Sequence, residues 1–274
     1  MRLWGEELPE HVLSEAERSF LARFAAMPRP QVEQIWRELD VVWIEMGLGR
    51  SVSPDALARY YAHPVWLLNG VFVATDPISV AHRRAIARWL VERSVRRVAD
   101  YGGGFGQLAS AIVEASPAIE VDVVEPFPSQ AGRFRIAGLP RVALVDRLAG
   151  PYDAVIAEDV LEHVEDPIAL AAELARAVAP GGNALFANAF YPFIHCHLPQ
   201  TFHLRHTFAW VVAPLGLRFV GRVTGAAHAL AFRREPRAPD LGAARARERV
   251  SRAIGPWVNR LRGAASAVLR RTLS

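Results

Sequence analysis

The sequence contains no lysine: all 32 of its basic residues are arginine. It has one cysteine, Cys196. A single thiol builds neither an intrachain disulfide framework nor a zinc ribbon. Apolar runs stop well short of the ~20 residues that span a bilayer, so no transmembrane helix is expected. Glu6, Glu7 and Glu10 stand where a secretory signal needs its apolar stretch. The expectation is a cytoplasmic protein without stable membrane insertion. A basic excess is missing from most of the chain as well. Residues 234–274 carry ten arginines against three acids, a net +7, whereas the rest carries 22 against 25, a net −3. The pI near 9.8 therefore belongs to the tail, and no nucleic-acid partner is expected. What is present is a globular composition, 51% hydrophobic and 22% charged over 274 residues. That suffices for one large domain with an appended piece.

Residues 1–94 read as a helical cap. Val32, Ile35, Trp36 and Leu39 recur at helical spacing as a core-facing stripe. Ser53-Pro54-Asp55 has the form of a helix start. A further helix is expected from about residue 79 to 92. From residue 95 short apolar runs alternate with helical stretches. Residues 95–100, 119–125, 141–145, 152–157 and 184–189 read as buried strands, and 217–223 with 228–233 as a closing pair. Such alternation predicts an α/β fold with a mostly parallel sheet over 95–233. Residues 234–274 read as an Arg/Ala-rich tail, a loosely folded appendage with Gly255-Pro256 separating two helices.

The most informative stretch runs from Val98 through Asp100 and Gly102-Gly103-Gly104-Phe105-Gly106 to Leu108: strand, glycine turn, helix. Glycine tolerates positive φ and close backbone approach, and a helix N-terminus offers free N–H groups to a ligand. Two registers fit. Gly104 to Ala109 matches the dinucleotide pattern G-x-G-x-x-A, with Glu125 about 20 residues on. Asp100 to Gly106 reads Asp-x-Gly-x-Gly-x-Gly. The difference is chemical: a carboxylate beside the ligand suits a cationic amine and repels a pyrophosphate.

The second register resembles the first motif of the class I S-adenosylmethionine (SAM) methyltransferases. Val123-Val124-Glu125-Pro126 is similar to the end of that family's second strand. Tyr152 to Pro167, with Leu161-Glu162-His163-Val164, looks closest to the ubiquinone-biosynthesis O-methyltransferase type. Ala179-Pro180-Gly181-Gly182 resembles the family's turn into its fifth strand. The resemblance covers about residues 95–233. It implies a Rossmann-like sheet of seven strands, mostly parallel, with SAM as cofactor; the helical N-terminal cap is read from the residue pattern of 1–94 and not from the resemblance. It also implies site roles: Asp100 toward the methionine end, Gly102, Gly104 and Gly106 along the ligand, and Glu125 on the ribose hydroxyls. Pro126 and Phe127 would flank the adenine, Asp146 would reach its amino group, and Glu158 would lie where the ligand's amine passes.

The implied reaction is in-line methyl transfer to a small-molecule acceptor, releasing S-adenosylhomocysteine. Acceptor groups should follow the fifth strand, where ligands meet the carboxyl ends of the sheet. There four histidines fall within twelve residues: His195, His197, His203 and His206. One of them as general base, with Tyr191 orienting the acceptor, is the catalytic expectation. Two of them at least are expected to be packing or surface histidines. A metal held by three of these nitrogens is the rival reading, set aside because no carboxylate stands near them in sequence. His163 is read as structural. Tyr60, Tyr61, Trp66, Asn69 and Phe72 are expected either to line an acceptor pocket or to fill the cap's core. The rival functions are a SAM-consuming cyclase or lyase releasing methylthioadenosine, a SAM-binding protein without turnover and, more distantly, a nicotinamide oxidoreductase.

Overall fold

The computed structural model describes residues 1–49 and 52–272, and the side chains of 1–49 and 52–262. The last two residues of the expected tail, Leu273 and Ser274, lie outside the described residues. The chain opens with a small antiparallel ribbon pairing Arg2–Leu3 with Glu6–Glu7. Five helices follow: α1 (Glu15–Ala25), α2 (Val32–Glu45), α3 (Pro54–Tyr61), α4 (Pro64–Thr75) and α5 (Pro77–Val91). Their starts are written in the sequence. Ser14 and Glu17 form a capping box on α1, Ser53 precedes Pro54 on α3, and the Asp76 carboxylate accepts from Ser79 N–H ahead of Pro77 on α5.

The sheet has seven strands: β1 (Arg97–Tyr101), β2 (Glu120–Val124), β3 (Val142–Val145), β4 (Tyr152–Glu158), β5 (Val178–Ala187), β6 (Leu217–Val223) and β7 (Ala226–Arg234). Its spatial order is β3-β2-β1-β4-β5-β7-β6, and only β7 runs antiparallel to its neighbours. This is the seven-stranded, mostly parallel Rossmann-like sheet that the resemblance implies. The strands are apolar along their length because both faces are covered. Helices α6 (Gln107–Ala115) and α7 (Gln130–Ala137) contribute to one layer, and α8 (Pro167–Ala177) and α9 (Phe208–Val212) to the other.

Two expectations change. The sequence pattern puts helix α5 with the cap, but its Ile86 and Leu90 share a core with Val98, Leu108 and Ile112 of β1 and α6. Its apolar face belongs to the sheet layer. The tail is not a loose appendage with a break. One helix, α10 (Leu241–Thr272), runs through Pro256. Its Ala244, Glu248 and Ser251 are buried. The Glu248 carboxylate pairs with Arg245 and Arg252, Arg245 also reaches Asp166 at the start of α8, and Asn259 donates to the Phe202 carbonyl.

The cap keeps a core of its own, built around Leu21, Ile35, Leu39, Tyr60, Leu68 and Phe72. It also buries Ile194, Cys196 and Leu198 from the segment after β5. That segment thus bridges the cap to the carboxyl end of the sheet.

Candidate active site

The glycine turn sits at the carboxyl end of β1. Gly102, Gly104 and Gly106 have φ of 74°, 52° and 71°, a region that side-chain-bearing residues enter at a cost of about 1–2 kcal/mol. Gly103 is needed for space instead: a Cβ there would lie 2.6 Å from Asp100 Oδ2. Asp100 is buried, and no donor reaches its Oδ2. Burial, with the nearby Glu158 and Glu125 carboxylates adding, pushes its carboxyl up to about 8. A buried carboxyl with an open oxygen beside a glycine cradle is suited to an ammonium group.

Glu125 follows β2. Its Oε2 accepts from Gly104 N–H and its Oε1 from Phe127 N–H, each at 2.9 Å. Each oxygen keeps a second lone pair, so the pre-oriented carboxylate still fits a vicinal diol. Pro126 and Phe127 are exposed beside it, and the Phe127 ring stacks on Tyr61 of the cap with centroids 5.5 Å apart. Val145 pairs with Val124, so exposed Asp146 stands next to Glu125 at the same sheet edge. Glu158 ends β4, where it meets His228 of β7 at 3.3 Å, and the His82 ring lies 4.4 Å from that of His228. Neither His82 nor His228 carries a motif that would have marked it in the sequence.

The histidines expected as bases are dispersed. His195 is exposed and holds Asp40 of α2 through both its backbone N–H and its ring, at 2.6 and 2.9 Å. His203 is buried under α10, its Nδ1 2.7 Å from Ser251 Oγ. His206 is exposed, with Arg262, Arg205 and Arg222 acting on it. These three serve packing and surface contacts, which corrects their reading as base candidates. Tyr191 lies at the rim, its ring under the Arg205 guanidinium, and its carbonyl accepts from His197 Nδ1 at 2.8 Å.

The structure gathers a different set. His197 meets His163, ring centroids 4.9 Å apart, and Glu162 joins them. Glu162 is fully buried; its Oε1 accepts from Ala189 N–H at 2.6 Å and its Oε2 has no donor. Burial and the neighbouring Asp159 carboxyl raise its carboxyl well above the usual range. His163 Nδ1 donates to the Cys196 carbonyl at 3.2 Å. Burial, with His197 adding, pushes the His163 imidazole down to about 3, so it is neutral. Tyr61 and Trp66 set their rings edge-on against it. Tyr60 and Phe72 instead fill the cap's core, so the aromatic expectation divides between wall and packing. The sequence signal for this cluster was the adjacency of Glu162 and His163. The carboxylate absent from the sequence neighbourhood of the histidines arrives from the turn after β4.

Among the described residues, eight buried side-chain polar atoms lack a partner. Five of them belong to this one region: Tyr61 Oη, Trp66 Nε1, Asp100 Oδ2, Glu162 Oε2 and Asn188 Nδ2. Unpaired buried polar groups are costly, so this concentration makes the region the candidate site.

A sequence profile described as "Methyltransferase domain" matches residues 78–214, half of the chain. The chain belongs to the methyltransferase domain family. The matched domain begins at α5, in agreement with that helix's packing on the sheet. Two relatives are named ubiquinone biosynthesis O-methyltransferase. The one from Albidiferax ferrireducens is 28% identical over 150 residues, covering 50% of this chain and 59% of the relative. The one from Paracidovorax citrulli is 30% identical over 150 residues, covering 50% and 63%. The methyltransferase domain thus spans about three fifths of the curated relatives it matches. Among solved structures, human N-acetylserotonin methyltransferase in complex with SAM has the same fold. Its TM-score is 0.52 at 17% identity, covering 80% of this chain and 70% of that one.

Proposed function

We propose that this protein is a SAM-dependent methyltransferase acting on a small-molecule acceptor, with in-line transfer and release of S-adenosylhomocysteine. The observation that carries the reading is Asp100: a buried carboxyl with an unpartnered oxygen, in a cradle that only glycine at position 103 leaves open. Asp100 would take the cofactor's ammonium group, Glu125 its ribose hydroxyls, and Phe127 with Pro126 would border the adenine, with Asp146 alongside. Glu158 would add negative charge near the cationic end. SAM supplies the electrophilic methyl group.

The acceptor side is the wall of Tyr61, Trp66 and His163, with His197, Glu162 and Tyr191 at its margin. Its apolar area and few inward polar groups suit a flat organic molecule with one polar handle. The names of the relatives speak for an oxygen nucleophile. Holding that oxygen in line with the methyl group is a large contribution of such a site, and the hydroxyl's proton leaves to solvent or to a neutral imidazole at the wall's margin, His197.

The test begins with the purified protein and SAM alone, the adenosyl products followed by mass spectrometry. SAM is expected to survive, and S-adenosylhomocysteine to appear when hydroxylated aromatic acceptors are supplied. Methylthioadenosine formed without an acceptor would replace this reading with cyclisation or lysis of SAM.

A further inference from the structure

Helix α10 has two sides of different character. Ala244, Glu248, Ser251 and Gly255 are buried against the body of the protein, and Asn259 holds the helix further along through the Phe202 carbonyl. Val250, Ile254, Trp257 and Leu261 recur at i, i+4, i+7 and i+11, which aligns them on another side of the helix, away from the buried row. All four are large and apolar, and they are 44–71% exposed. Docking α10 on the body therefore leaves an apolar row about 16 Å long facing water.

The charge along this helix is of one sign. Glu248 is the one acid in α10, and it is buried with Arg245 and Arg252 as partners. Arg249 and Arg260 flank the apolar row on one side and are exposed, the Arg260 guanidinium lying 5.6 Å from the Trp257 ring centre. On the other flank Arg247 lies over the ring of Trp210, itself exposed. Around exposed His206 the body sets Arg205 and Arg222 beside Arg262 of the helix. Arginine lays its apolar stem along such a surface and turns its guanidinium to anions.

What covers the row must accept apolar side chains and supply negative charge together. A second copy of this chain laid on the same side would set arginines against arginines. The surface of an anionic bilayer meets both demands: apolar side chains enter the headgroup boundary, guanidinium groups meet phosphates, and tryptophan is favoured at that depth. We propose that α10 is a membrane-surface helix, its Val250, Ile254, Trp257 and Leu261 row lying in the headgroup region of an anionic bilayer and its buried side staying docked on the protein. The helix lies in the interface plane and spans nothing. Among the described residues no single helix is long and apolar enough to cross a membrane. The inference does not depend on the methyltransferase reading.

Full-length protein is sedimented with vesicles of phosphatidylcholine alone and of phosphatidylcholine mixed with phosphatidylglycerol. The salt is held at about 0.1 M, where charges act over about 10 Å. The expected result is binding to the anionic vesicles only, weakening as salt is raised. Arg249→Gln and Arg260→Gln should each weaken it about fivefold, the effect of one cation near such a surface. Replacing Trp257 and Leu261 together by alanine should weaken it more than about tenfold. Both side chains are exposed, so urea unfolding of that double variant should match the unaltered protein. Absence of binding to anionic vesicles would overturn the proposal, as would undiminished binding by the double variant. A dimer in sedimentation velocity that the double variant abolishes, without vesicle binding, would give the row to a second copy instead. Capture by polyglutamate and not by vesicles would give it to an acidic protein, and would overturn the lipid reading equally.

Discussion

A carboxyl group buried beside a glycine turn lowers its energy either by holding a proton or by meeting a cation. Asp100, pushed up to about 8 by burial and by its acidic neighbours, holds its proton at neutral pH while the site is empty. A cationic amine favours the ionised form, so binding SAM below pH 8 must expel that proton. Each pH unit below the shifted value costs about 1.4 kcal/mol, a tenfold loss in affinity. SAM binding measured by calorimetry should therefore tighten as pH rises from 6 to 8 and level off above. Protons released to buffer should be detectable as a dependence on buffer ionisation heat. Asp100→Asn removes a charge-assisted hydrogen bond worth about 1.5–3 kcal/mol, so it should weaken SAM about 10- to 100-fold. It should also abolish this component of the pH dependence. An unchanged affinity in the Asn variant would remove Asp100 from the cofactor site.

Helix α4 of the cap meets the glycine turn and the start of α6 around Gly70. The Gly70 carbonyl accepts from Gln107 Nε2 at 2.9 Å, and a Cβ on Gly70 would come 2.4 Å from the Phe105 ring. Gly70→Ala must therefore displace Phe105, and the turn with it, at an overpacking cost of about 1–3 kcal/mol. Gly104 has open space where its Cβ would go, so Gly104→Ala carries only the penalty of positive φ, about 1–2 kcal/mol. Urea denaturation should show both variants destabilised. SAM affinity separates their causes: Gly70→Ala acts on the cofactor from a helix that reaches the turn through Phe105 and Gln107. This contact also shows where sequence reading stopped. The strands, the glycine turn and Glu125 were legible because strand period, positive φ and strand-end acids leave local signatures. The cluster of Glu162, His163 and His197 was not, since its members come from two turns about 34 residues apart whose meeting depends on how the β5–cap bridge packs. A run of four histidines invited a single site. Asp40, Ser251 and the surface claimed three of them.

The tail shows how the molecule as a whole uses an arginine-rich helix. Ala244, Glu248 and Ser251 of α10 are buried, and Ser251 Oγ serves both His203 Nδ1 and Thr207 Oγ1, at 2.7 and 2.5 Å. Gly255 lies so close that a Cβ would come 2.6 Å from the His203 carbonyl oxygen. Burial under this helix, with Arg252 adding, pushes the His203 imidazole from 6.5 down to about 4. Its sign follows from linkage. Above pH 6.5 the ring is neutral in both folded and unfolded chains, and the contribution to stability is complete. Between 6.5 and 4 the unfolded chain takes up a proton that the folded one refuses, so stability falls by about 1.4 kcal/mol per pH unit. Over that window the loss approaches about 3 kcal/mol. Urea unfolding at pH 7, 6 and 5 should show this decline, and His203→Gln, which keeps a hydrogen-bonding side chain and cannot titrate, should flatten it. Truncation after Asp240 re-exposes His203, so the shortened chain should also lose the slope, from a lower starting stability. If instead the slope is the same in all three proteins, α10 does not hold His203 neutral, and the tail's docking contributes nothing to the acid limit of the fold.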